Sequence, residues 1–180
     1  MKNYLRPFEN LNTLNTIKLI PVLLLWYGCS HAQIPTQEVR WIDDIVPDTM
    51  LDDADFKICN TDEQVIQYFN DGKSIQYKGG KPDIDSIFIS AYKPVANSES
   101  GMIRIRFIVN CNGETGRFRI LSSDLDYQPF QFSYEITNQL LQITKSMNGW
   151  QPKIWRDMKV DYYQYLIFRI ENGKLTHVLP

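Results

Sequence analysis

Apolar and polar residues alternate with a period of two across residues 101–121, on both sides of an Asn112-Gly113 pair. Ile103, Ile105, Phe107 and Val109 fall on one side of the first segment, and Arg104 and Arg106 on the other. Past the pair, Phe118 and Ile120 continue the apolar side while Arg117 and Arg119 continue the polar one. Successive side chains of a strand point to opposite faces, and Asn-Gly between alternating runs is a strong hairpin signal. The pattern predicts an antiparallel hairpin with one core face and four arginines on the opposite face.

A second region of alternation spans 160–170. Tyr162, Leu166, Phe168 and Ile170 form its inward set, with Gln164 out of pattern, and Tyr163, Tyr165, Ile167 and Arg169 form its outward set. Asn172-Gly173 predicts another tight turn, and 175–179 returns as a short last strand. Elsewhere the spacing is three and four. Thr61 with Gln64 is a capping-box pattern that predicts a helix over 61–70, with Val65, Ile66 and Phe69 on its apolar side. Ile84, Ile87, Phe88 and Ala91 form a helical stripe after Pro82, which suits a first turn, and Pro94 lies beyond its end. Phe132, Ile136, Leu140, Ile143 and Met147 predict a third helix over 133–147, with Ser133 as its N-cap and Gly149 as its stop. The order α, α, β, β, α, β, β predicts an α+β, two-layer domain. Helices would cover one face of an antiparallel sheet of three to four strands.

Composition sets the class. The chain has 180 residues, 43% hydrophobic and 22% charged, enough for one ordinary domain with a leader. A formal net charge of −2 gives no general attraction to nucleic acid. Lys2, Arg6 and Lys18 precede an apolar run of about ten residues at 19–28, too short to span a membrane as a helix, which needs roughly 20. It reads as an export signal. Ser30-His31-Ala32 is a signal-peptidase pattern, and Gly28-Cys29 resembles a lipobox that would make Cys29 a lipidated N-terminus. An uncleaved anchor is the third reading. The expected organisation is a signal over 1–32 (or ending before Cys29), an acidic, loosely ordered extension over 33–55, and a folded domain over 56–180. Trp41, Ile42, Ile45 and Val46 offer the extension a means of packing on the domain. The exported part carries a charge of about −4 by formal count. Cys59 and Cys111 remain as an even pair in an oxidising compartment, which makes a disulfide the favoured state and two buried thiols the alternative.

In order along the chain, Tyr77-Lys-Gly-Gly80, a helix, Tyr92-Lys-Pro94, the strand from Gly101 to Val109 with its Asn112-Gly113 turn, a helix to Met147, Trp150-Gln-Pro152 and the aromatic strand resemble the C-terminal domain of TonB-type energy transducers, in the form common in Bacteroidetes. The likeness covers about residues 77–170, the span of those motifs. Lys78 replaces the usual proline, Cys111-Asn112 replaces an acidic turn, and no glycine precedes the last core strand at Lys159. The resemblance implies a periplasmic or outer-membrane-associated module that binds the TonB box, a short extended segment of outer-membrane transporters, by strand addition at the edge of the last core strand. The side chains of that strand's outward set are Tyr163, Tyr165, Ile167 and Arg169. An extended peptide satisfies the N–H and C=O groups of such an edge. No membrane-spanning helix and long spacer of an energy transducer is evident, so an exported adaptor is the expectation. The final strand at 175–179 is expected to pair with the same edge.

Arg104, Arg106, Arg117 and Arg119, with Arg169, Tyr163 and Tyr165, suggest a second surface. It is either a face for peptidoglycan or another glycan, or a face neutralised by aspartates of the extension. Trp150 and Trp155 read as packing residues. Glu114 and Asp124 do not form an acid/base pair, and two histidines leave little for a metal or a triad. No catalytic, cofactor or metal constellation is expected, and membrane contact only through a lipid at Cys29.

Overall fold

The computed structural model describes residues 44–67 and 75–179. Cys29 and the whole leader, with Trp41 and Ile42, lie outside them. Among the described residues no helix is long and apolar enough to cross a membrane. The described residues are α+β, with a four-stranded antiparallel sheet and two α-helices. The strands are β1 (Gly101–Val109), β2 (Thr115–Ser123), β3 (Lys153–Trp155), β4 (Met158–Val160), β5 (Tyr162–Glu171) and β6 (Lys174–Leu179). The helices are α1 (Gly80–Ala91) and α2 (Tyr134–Ser146). The main sheet has the order β2-β1-β5-β6, and β3 and β4 form a separate two-stranded hairpin.

The period-two reading sets the main sheet. Ile103, Ile105, Phe107, Val109, Tyr162, Leu166, Phe168 and Ile170 are buried in one cluster with Ile84 and Phe88 of α1 and Ile136 and Leu140 of α2. Both helices therefore pack on the same sheet face. Phe107 is central to this core: its ring stacks on Phe118 at 5.2 Å and meets Trp150 edge-on at 5.1 Å. Pairing of β1 with β2 shifts between Arg106 and Ile108, and Arg117 takes a φ of 53° in the resulting bulge. Gln164 stands opposite Phe107 and is buried on the core face, where its side-chain amide donates to the Tyr165 carbonyl at 2.9 Å.

Three elements differ from the sequence reading. The helix expected over 61–70 is only a 3-10 turn at Asp62–Gln64. Val65 is then extended, and Ile66 forms a parallel bridge with Tyr162. The capping box is present, but the β-branched pair that follows finds a strand edge and a second apolar cluster, which outcompetes further helical turns. Residues 68–74 lie outside the described part. The β3–β4 hairpin carries no turn signature, because its bend uses Arg156 and Asp157 at positive φ, 48° and 64°, without a glycine. Its exposed Trp155 is not a core residue, whereas Trp150 is buried.

The third difference is the extension. The described residues 44–67, which include the extension's 44–55, form one strap that covers the sheet face opposite the helices and reaches the edge of β5 at Ile66. Ile45 and Val65 form a buried cluster with Ile108 and Tyr163, flanked by Phe56 and Ile58. Gly116 makes room for it: a Cβ there would meet the Phe56 ring at 2.2 Å. Packing thus starts before the expected boundary at 56, since sheet residues with apolar side chains on both faces need covers on both.

Candidate functional site

The site of interest is the outer edge of β5, the side facing away from β1. The Tyr163 N–H donates to the Ile66 carbonyl at 2.9 Å, so it points to that side. Backbone groups of alternate strand residues point the same way. Tyr163, Tyr165, Ile167 and Arg169 therefore carry the outward N–H and C=O groups. These are the four residues expected at the binding edge.

In the structure the edge is occupied. Ile66 bridges its start, donating its N–H to the Asp161 carbonyl and accepting from Tyr163, both at 2.9 Å. The Tyr165 carbonyl accepts from Gln164. Ile167 and Arg169 stand opposite Leu179 and His177 of β6, as the sequence reading of the final strand anticipated. Two chain segments thus add to one edge, the Ile66 segment parallel to β5 and β6 antiparallel to it.

The strap is fixed beside this edge by a node the sequence reading did not single out. The Asp161 side chain is fully buried, with 0% exposure. Its Oδ2 accepts the N–H groups of Cys59 and Asn60, each at 2.9 Å, and its Oδ1 accepts the Cys111 N–H at 2.9 Å. A carboxylate saturated by amide donors is a strong, geometrically specific clamp. Cys59 and Cys111 are joined in a disulfide, 52 residues apart in sequence. By the chain-entropy relation a loop of that size contributes on the order of 4 kcal/mol through the unfolded state. Asn110 adds a further tie, donating to the Lys57 carbonyl at 2.9 Å. Cys59, Cys111 and Asp161 are a grouping of metal-ligand types among the described residues. Here the two sulfurs are bonded to each other and the carboxylate is engaged by amides. The only sequence signal for Asp161 was an acid between the apolar Val160 and Tyr162, and such an acid more often marks a turn.

Arg104, Arg106 and Arg119 share a face and Arg117 lies in the bulge beside it, but they do not make an open basic surface. Arg104 and Arg106 are 8% and 6% exposed, with their guanidinium groups over the rings of Tyr165 at 4.3 Å and Tyr163 at 5.7 Å. Burial, with Arg106 alongside, lowers the Arg104 pKa from the usual arginine value. Arg117 is paired with Asp62, and Arg119 with Asp52 at 2.6 Å. Arg119 also donates to the Val46 carbonyl at 2.8 Å. Arg106 and Arg119 are directly opposed across β1 and β2, a destabilising like-charge pair. Asp52 offsets it, so one aspartate of the extension neutralises an arginine of this face, while Asp62, the partner of Arg117, lies beyond the extension. Arg169 is paired with Glu171.

Comparison with family models, with curated proteins and with solved structures gave no match.

The strap carries a pH signature. The hydrogen bond from Arg119 holds the Asp52 carboxyl below the usual carboxylate range. A folded-state value below the unfolded one makes this group stabilising above about pH 4, and that contribution is lost as pH falls through the folded value. Asp52→Asn should therefore shrink the difference in stability between pH 7 and pH 3. Urea midpoints at the two pH values measure it, and an unchanged difference refutes the coupling.

Proposed function

We propose that this chain is a non-enzymatic protein of the bacterial cell envelope that binds extended segments of partner proteins by strand addition at the outer edge of β5. The partner class we favour is the TonB-box segment of outer-membrane transporters, with the chain as an exported adaptor in the periplasm or at the outer membrane. The ordered motifs from Tyr77 to Ile170 support the TonB-like reading. So does the agreement of their predicted strands and helices with α1, β1, β2, α2 and β5.

One observation carries the mode of binding. The same edge accepts two unrelated segments of its own chain, one in each direction. An edge that pairs with either polarity recognises backbone first, which is the basis of β-augmentation. β6 covers only Ile167–Glu171 of β5 and buries one of its own side chains, Val178.

TonB-box peptides titrated against the full chain, and against a chain lacking residues 174–180, test the proposal. Saturable binding, tighter in the shortened chain, is expected. Absence of binding by both forms overturns it.

A further inference from the structure

Resting on the edge-strand reading, we infer that β6 is an internal occupant of the partner site and that it defines the partner's chemistry. The incoming segment runs antiparallel to β5 over Ile167–Glu171 and carries two apolar residues three apart, in the places of Leu175 and Val178.

The two occupants of the edge are held very differently. The Ile66 segment belongs to the strap, which is secured by the Cys59–Cys111 disulfide, the Asp161 clamp, the Asp52–Arg119 and Asp62–Arg117 pairs and a buried apolar cluster. It is a fixed stop at the start of the edge. Among the described residues, β6 has no disulfide or ion pair fastening it along its length. Only Val178, at 5% exposure, is buried, and Leu175 packs on the core while partly exposed. Thr176 Oγ1 donates to the Arg169 carbonyl at 3.2 Å.

The other end of β6 is anchored at its turn. The Gly173 carbonyl accepts from the Val95 N–H at 3.0 Å and from the Tyr92 hydroxyl at 3.0 Å, and the Gly173 N–H donates to the Glu99 carbonyl at 3.0 Å. Gly173 is required there, since a Cβ would lie 2.0 Å from the Val95 carbonyl oxygen. Opening therefore proceeds from Leu179 toward the turn and exposes Ile167 first. Local opening of this kind draws on the segments with few buried contacts.

The register supplies the specificity. Val178 stands opposite Phe168 and Leu175 opposite Ile170, both core-facing residues of β5. Pairing shifts between Arg169 and Ile170, so these two apolar positions of β6 are three residues apart instead of the usual two. The edge then reads an apolar, two-residue, apolar spacing, with a hydroxyl preferred where Thr176 fills the shift.

The test uses the full, disulfide-intact chain and a fluorescent hexapeptide of the β6 sequence, Lys-Leu-Thr-His-Val-Leu. Leu175→Ser/Val178→Ser loosens the resident strand, and fluorescence anisotropy should then show peptide affinity raised about tenfold or more over the unsubstituted chain. A peptide with serine at both apolar positions should not bind. Arg169→Cys/His177→Cys, which cross-links two opposed residues, should abolish binding. Equal binding by the cross-linked chain overturns the inference. So does failure of the Leu175→Ser/Val178→Ser chain to bind while its circular dichroism is unchanged. Independently of any substitution, amide exchange at His177 and Leu179 should be faster than at Ile105, and equal protection overturns the exchange. TonB-box peptides run in parallel separate the two proposals. If the β6 peptide binds and TonB-box peptides do not, strand exchange stands and the TonB partner class falls. If TonB-box peptides bind the cross-linked chain undiminished, the exchange falls and the partner class stands.

Discussion

Asp161→Ala should lower stability by about 3–4 kcal/mol, among the largest effects of any single polar substitution in this chain. The carboxylate is fully buried and accepts three backbone N–H groups, from Cys59, Asn60 and Cys111. Removing it leaves donors in a confined site without their acceptor, and such donors cost more than the net value of the bonds. Asp161→Asn keeps one acceptor oxygen and loses less. Urea unfolding with the disulfide intact measures both. The amide of Ile66, which donates to the Asp161 carbonyl, should also lose exchange protection in the alanine variant. A change in the unfolding midpoint too small to resolve would show that water replaces the carboxylate, and the clamp would then be dispensable.

Phe107→Ala should cost about 3–5 kcal/mol, the range for truncating a fully buried aromatic residue. Phe107 has no exposure, lies in the middle strand pair, and contacts Phe118 and Trp150 through its ring. Its neighbours come from the flanking strands β2 and β5 and from the loop leading to β3, so no single side chain can relax into the space. Denaturant midpoints should fall with little change in slope, since the surface exposed on unfolding is nearly the same. Phe118, partly exposed on the bulged strand, should cost distinctly less when truncated. Equal losses at the two positions would contradict the placement of the core.

The elements that were legible in the sequence are those whose signal is local. The β1–β2 hairpin follows from a period of two and an Asn-Gly turn, and the β5–β6 hairpin from the same two cues. The place of α2 follows from the spacing of Ile136 and Leu140, which are buried as expected; Ser133 sits at the N-cap position, but its hydroxyl donates to Glu99 and does not cap the helix. The Cys59–Cys111 bond was the state favoured by counting cysteines together with the expected export signal. The β3–β4 hairpin was not legible, because Arg156-Asp157 resembles any charged loop. The helix expected over 61–70 failed for a different reason: Val65 and Ile66 satisfy a helical stripe as well as they satisfy a strand, and only the neighbouring edge decides between them.

The candidate site shows the same division. That Tyr163, Tyr165, Ile167 and Arg169 lie on one side of a strand is a consequence of the pleat and was fixed by local alternation. Of the partners that meet their backbone groups, β6 was announced by the Asn172-Gly173 turn, whereas Ile66, about a hundred residues from Tyr163 in the chain, falls in a segment whose pattern predicts helix. Arg104, Arg106 and Arg119 were correctly assigned to one face, Arg117 falls in the bulge, and the acidic extension was one of the two covers the sequence offered. Arg104 and Arg106 are buried there, and Asp52 and Asp62 neutralise Arg119 and Arg117. By itself the sequence determined β1, β2, β5 and β6, α1 and α2 and their faces, since those depend on residues within a few positions of one another, and it favoured the cysteine pair by count alone. Tertiary structure alone decided why Asp161 is buried and that the Ile66 segment bridges the start of the β5 edge. Those outcomes depend on long-range pairings that no short window of sequence contains.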